Sequence, residues 1–253
     1  RNYRRYTCRT GPAKTVKEAI AVAETYAESV EMPGVTLAQL NAINKGILRT
    51  LGGSIPDKRV TALRWQKAGI KNPASYLHET AGGLGGQSIE GGKDWIQVQK
   101  TFARNADKKA QQVREVFTAQ TQRNIQRNID TINDSRTPEA AKGRYRAYLA
   151  ADQQALDAGY AVGYRATVEP LEAVMSHEAG HLIYFRNKSV KARWDTAHRK
   201  LPPEDFAKVS QYATSSASEY FAEANSARSL GLDATLPISV RSALDDALSA
   251  LED

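Results

Sequence analysis

Residues 174–183 read Val-Met-Ser-His-Glu-Ala-Gly-His-Leu-Ile, and no other stretch restricts the fold of this 253-residue chain as tightly. The spacing predicts a helix opening at Glu169-Pro170, with Leu171, Val174, Met175, Leu182 and Phe185 as its buried side. On a helix, positions i and i+4 share a face, so His177 and His181 can present imidazole nitrogens to one ion. Glu178 stands about a quarter-turn away. There it flanks the ion instead of ligating it, which is where a general base must be if zinc lowers the pKa of a water.

A hydrolytic zinc takes three protein ligands and keeps one position open, so a third ligand must come from elsewhere. The single Cys8 excludes an internal disulfide framework and, with no second cysteine beside it, argues against a thiolate site, which leaves histidine and carboxylate. Glu219, 38 residues beyond His181 on a separate helix, is the candidate. Four residues on, Glu223 can accept a hydrogen bond from the second nitrogen of a ligand histidine and fix its tautomer. Tyr212, seven residues before Glu219, is placed to donate to a developing oxyanion. Ser216-Ala217-Ser218-Glu219 also fits a capping box, which would employ Glu219 at the helix start instead. His78 and His198 have no partner at ligand spacing and read as surface or satisfied histidines.

Along the chain, Thr15-Val16-Lys17-Glu18 opens a helix with Ile20, Ala23, Ala27 and Val30 on one stripe, ended by Pro33-Gly34. Thr36 caps a second, closed by Gly52-Gly53. Residues 55–73 read as loosely structured, with an apolar piece at Val60, Leu63 and Trp65. Ala74–Glu79 and Trp95–Gln99 read as short strands joined by a glycine-rich hairpin (Gly82, Gly83, Gly85, Gly86, Gly91, Gly92), which lacks the ending of a phosphate loop. One helix is expected from Phe102 to Ile132 and another from Thr137-Pro138-Glu139 to about Ala158. A basic segment with Trp194 and His198 follows Arg186, and helices are expected from Ser216 to Leu230 and from Val240 to Leu251. With no repeat or low-complexity linker, a single domain is expected: residues 1–100 as N-terminal helices and small sheet, 101–165 as a helical insertion, 166–253 as the helices of the site.

His177-Glu178-Ala179-Gly180-His181 together with the stretch from Tyr212 through Glu219 to Ala224 resembles the catalytic domain of the anthrax lethal factor-like zinc metallopeptidases. Such domains, active or decayed, also occur in phage head morphogenesis and minor capsid proteins. The resemblance implies a mainly helical α+β, zincin-like fold. It implies Zn2+ held by His177, His181 and Glu219, Glu178 as base, Tyr212 assisting the transition state, and hydrolysis of peptide bonds in a protein or peptide substrate. Ser216 departs from an asparagine common in the family, and both are good caps. Trp95–Gln99 is the expected edge strand for an extended substrate. The resemblance also implies capsid or portal partners and a place in a virion or host cytoplasm. The net charge of +7 suits nearby DNA, although the lysines and arginines are scattered, with only Arg1–Arg9 compactly basic. No apolar run approaches the roughly 20 residues of a membrane span, so no membrane partner is expected. The alternative function is a catalytically silent virion structural protein that uses the same fold for packing.

Overall fold

The computed structural model of the chain describes residues 3–5, 12–52, 54–56, 58–66, 74–80, 83–84, 93–157, 160–161, 164–165, 170–210 and 212–251. The first half runs β1 (Tyr3–Arg5), α1 (Val16–Ala23), β2 (Ala27–Glu31), α2 (Leu37–Thr50), β3 (Ser54–Pro56), β4 (Val60–Trp65), β5 (Ala74–Thr80), β6 (Gly83–Leu84) and β7 (Asp94–Val98). Then come α3 (Lys100–Arg104), α4 (Ala106–Asn133), α5 (Glu139–Asp157), β8 (Tyr160–Ala161), β9 (Tyr164–Arg165), α6 (Pro170–Arg186), α7 (Lys188–His198), α8 (Pro203–Val209), α9 (Ala217–Ser229) and α10 (Ile238–Ser249). Short 3-10 turns precede α9 (Tyr212–Thr214) and α10 (Asp233–Thr235). The architecture is α+β and mostly helical, and no helix among the described residues is long and apolar enough to cross a membrane.

The main sheet has the order β2-β4-β7-β5-β6. Strands β2, β4 and β7 are parallel, β5 runs antiparallel to β7, and the two-residue β6 pairs with the far end of β5. Leu63, Ile96 and Val98 are fully buried in the core that the sheet shares with α2 and α6. The expected strands at 74–79 and 95–99 are present and adjacent. Their order corrects one expectation, however: β7 lies between β4 and β5, so Trp95–Val98 is an interior strand. Beyond β7, β5 enters antiparallel, and among the described residues the strand that pairs on its outer side is the two-residue β6, at Glu79 and Thr80.

Other expectations change for physical reasons. The first helix stops at Ala23, and Ala27–Glu31 is a strand paired with β4 from Ala27 opposite Val60. Its residues keep the helical spacing by coincidence. The chain turns at Glu24-Thr25, where Thr25 Oγ1 donates to the Val22 carbonyl, and Tyr26 is buried with its hydroxyl donating to Asn44. Residues 60–65 form the interior strand β4, in which consecutive Ala62 and Leu63 are both buried, so no period-two alternation marks it. The helix expected from Phe102 breaks at Asn105, with Phe102 and Ala103 buried on α3. On α4, Ile125, Ile129 and Ile132, which share the apolar stripe expected to be core, are only half-buried. The basic segment after Arg186 is helix α7, whose Asn187 cap accepts from the Val190 amide and whose Trp194 is fully buried. The Arg1–Arg9 side chains, Cys8, Gly159 and Gly163 lie outside the described residues, as do the hairpin glycines other than Gly83.

Helix α6 is enclosed. Every residue from Pro170 to Tyr184 is buried, including Glu172, Ser176, His177, Glu178 and His181. Helix α2 crosses it at Gly46, where a Cβ would lie 2.3 Å from the Glu172 carbonyl oxygen. Close by, Glu172 pairs with Lys45 at 2.8 Å and Arg49 at 3.1 Å. Thr50, Ser176 and Ser229 bring one hydroxyl each from α2, α6 and α9 into a triangle with sides of 2.6, 2.8 and 3.0 Å. These bonds hold α6 in register with both neighbours immediately before His177.

Candidate metal centre

Helix α9 lies against α6 so closely that a Cβ on Gly180 would sit 2.8 Å from Ala222 Cα. A glycine inside a helix costs about 1 kcal/mol relative to alanine. Here the missing side chain lets the two backbones approach. That approach brings Glu219 and Glu223, one turn apart on α9, against His177 and His181, one turn apart on α6.

His177 Nε2 and His181 Nε2 are 3.1 Å apart, and each lies 3.1 Å from Glu219 Oε2. Hydrogen bonds cannot account for all three sides of this triangle. If both nitrogens carry protons, two donors face one another; if one does, its proton reaches only one of its two neighbours. A cation accounts for all three. Tetrahedral ligands about 2.0 Å from a zinc ion are separated by about 3.3 Å, close to the triangle found. Two imidazoles and a carboxylate are also donors of the right chemistry for zinc.

The surroundings support the same geometry. Glu223 is almost fully buried, and its Oε1 lies 2.8 Å from His177 Nδ1, so it directs the opposite nitrogen, Nε2, into the triangle. The rings of His177 and His181 meet edge to face at 4.7 Å, and His181 stacks against Phe185. Three carboxyl groups stand around two imidazoles, a set whose negative charge a bound cation would offset. Burial works against the His177 imidazolium, but Glu219 and Glu223 outweigh it and hold that imidazole well above the usual histidine pKa. Burial likewise raises the Glu219 carboxyl, yet the two histidines outweigh it and bring the group down to about 2.

The cap and the carboxylate of Glu219 do not compete. Ser216 is the N-cap, and its hydroxyl accepts from the Glu219 amide at 3.2 Å. The Glu219 backbone therefore serves the cap while its carboxylate turns to the histidines. The missed helix α7 supports this end of α9: Trp194 Nε1 donates to the Ala217 carbonyl at 2.8 Å and its ring packs edge-on against Tyr220 and Phe221.

Glu178 is buried and outside the triangle. Its Oε2 accepts from the backbone amide of Tyr76 on β5 at 2.5 Å. Burial raises its pKa above the ordinary glutamate value, against the pull of the neighbouring histidines and the Tyr76 amide. The structure thus brings His177, His181, Glu219, Glu223 and Glu178 together. Tyr212 opens the turn before α9, with its side chain outside the described residues, as is that of His78. His198 ends α7 packed against Phe206 and Tyr220, away from the triangle. Sequence reasoning missed Gly180, whose signal was a lone glycine in a helical pattern. It also missed Tyr76, which takes part through its backbone and leaves no signal. Comparison with protein-family models, curated proteins and solved structures finds no match to this chain.

Proposed function

We propose that this protein is a zinc-dependent metallopeptidase. The observation that carries the proposal is the triangle of His177, His181 and Glu219, whose three 3.1 Å sides suit a shared cation and not a set of hydrogen bonds. The resemblance to the lethal factor-like metallopeptidases supports it, as does a buried carboxylate beside the triangle. A zinc ion held there would act as a Lewis acid, making water acidic enough to attack at neutral pH and polarising the scissile carbonyl. Glu178 takes the proton as the water oxygen bonds to the carbonyl carbon, and returns it to the amine nitrogen as the C–N bond breaks. Glu223 keeps His177 oriented with Nε2 inward. Tyr212 is assigned the oxyanion from its place in the sequence pattern.

The test is zinc content by elemental analysis together with digestion of an unbiased peptide library, with and without chelator. Chelator-sensitive cleavage that disappears in Glu178→Gln while zinc is retained is the expected result. Absence of bound zinc after zinc-replete purification would sink the proposal and favour the structural role inside a virion. Zinc-loaded protein that cleaves nothing would leave a metal site without this chemistry.

A further inference from the structure

A buried network on the far side of Glu178 takes no part in the metal triangle. Asp94, at the start of β7, is fully buried. Its Oδ2 accepts from the Tyr76 hydroxyl at 2.7 Å and from Arg186 Nε and Nη2 at 2.8 and 2.5 Å, and its Oδ1 accepts from the Thr61 amide at 3.3 Å. Arg186 is the last residue of α6 and also donates to the carbonyls of Lys58 and Arg59. The Tyr76 ring stacks on Phe185. A closed circuit results: Glu178 is held by the Tyr76 amide, the Tyr76 side chain by Asp94, and Asp94 by the guanidinium at the end of the helix that carries Glu178.

A buried ion pair is an expensive way to attach a sheet to a helix, since both charges must be desolvated. Apolar residues of similar size would serve stability as well. What an ionic, doubly bonded contact adds is direction. Tyr76 has its amide turned toward α6, so by the alternation of an antiparallel pair the amides of Ser75 and Leu77 face β7. Small rotations of β5 about its axis would swing the Tyr76 amide off the carboxylate without breaking the ladder to β7. The hydroxyl anchor opposes that rotation.

We infer that Tyr76, Asp94 and Arg186 form a positioning device that fixes β5 so that the Tyr76 amide holds the Glu178 carboxylate in place. The catalytic part of this inference rests on the metallopeptidase proposal; the positional part does not. The full chain is compared with Tyr76→Phe, which keeps the ring stack and removes only the hydroxyl. Residue-resolved amide exchange is read at positions 75, 76 and 77, with Glu178→Ala as the reference for a lost bond. Exchange at position 76 is expected to be about tenfold faster in Tyr76→Phe, the effect of weakening one charge-assisted hydrogen bond, while 75 and 77 stay protected. Asp94→Asn, which keeps the shape of the anchor, is expected to give the same pattern. In the zinc-loaded protein, kcat for peptide cleavage is expected to fall on the order of tenfold with KM and zinc content unchanged.

Unchanged exchange at position 76 in Tyr76→Phe would overturn the inference. So would equal loss of protection at 75, 76 and 77, because that describes a general loosening of the sheet. If the unaltered protein cleaves no peptide, the metallopeptidase proposal fails while the exchange result still decides the positioning.

Discussion

Helices α6 and α4 are both rich in polar residues, yet they treat them in opposite ways. On α4, 28 residues long, Lys108, Gln112, Glu115, Arg123, Gln126, Arg127 and Asp130 are exposed, and the one buried polar side chain described, Asn128, donates to Asp152 of α5. On α6 the polar residues are inside: Glu172 answers Lys45 and Arg49, Ser176 joins two other hydroxyls, Glu178 meets a backbone amide, and both histidines converge on Glu219. Solvated charge on a long helix needs no further explanation. Buried charge on a crowded helix does, because it costs several kcal/mol per ion unless partners are supplied. Site chemistry in this chain is therefore sought on α6 and its neighbours, not on the α4–α5 pair.

The sharpest way to break that contrast is to remove a ligand. His181→Ala is expected to take bound zinc from about one per chain to near none, measured by elemental analysis, because two ligands do not hold a hydrolytic zinc. Far-UV circular dichroism of the same variant checks that the fold persists, because removing an imidazole leaves Glu219 with one partner fewer. Retention of zinc would place the metal elsewhere. Lys108→Ala on α4 should leave both zinc content and stability within about 0.5 kcal/mol of the starting protein.

The glycines sharpen the comparison without touching charge. At Gly46 a methyl group would lie 2.3 Å from a backbone carbonyl of α6, and at Gly180 2.8 Å from a backbone carbon of α9. Neither neighbour is a flexible side-chain end, so the helices must separate. Gly46→Ala is expected to cost about 3 kcal/mol or more and Gly180→Ala about 1–3 kcal/mol, by denaturant unfolding. Gly180→Ala should also weaken zinc binding, because it pushes Glu219 away from the histidines. Unaltered affinity in a destabilised Gly180→Ala protein would show that the close crossing serves packing alone.

Such crossings also explain what was legible in the sequence. The meeting of His177, His181, Glu219 and Glu223 was legible because His177 and His181, and Glu219 and Glu223, sit at intervals that one helical turn converts into shared faces. The caps at Thr15, Thr36 and Ser216 were legible because capping depends on the residue itself and its near neighbours. Strand β4 was not, since a parallel strand buried on both faces loses its alternation, and β2 was hidden by residues that also fit a helical stripe. The position of β7 within the sheet depends on which strands flank it, and nothing in Trp95–Gln99 records that. The contact between Glu178 and a Tyr76 amide 102 residues away is a property of the fold alone.

A smaller effect is expected beyond the triangle itself. Glu223→Gln keeps size and removes charge beside His177 Nδ1, so zinc should still bind but about 10–100-fold more weakly, as found when the partner of a ligand histidine is altered. Competition with a chromophoric chelator gives the number. Unchanged affinity would mean that Glu223 only fills space.

The smallest effect has the opposite sign, and it returns the contrast to α5. Gly143 lies exposed in that helix, and a methyl group there meets no atom within 4 Å. No close approach requires this glycine, so its helical cost is uncompensated. Gly143→Ala removes backbone freedom from the unfolded chain and is expected to stabilise by about 0.5–1 kcal/mol, with zinc content unchanged. Chemical denaturation of the Gly46, Gly143 and Gly180 variants side by side tests the idea that crowding decides the sign. Destabilisation by Gly143→Ala would mean that the α4–α5 pair has a covered face after all, and that its polar residues need the same scrutiny as those of α6.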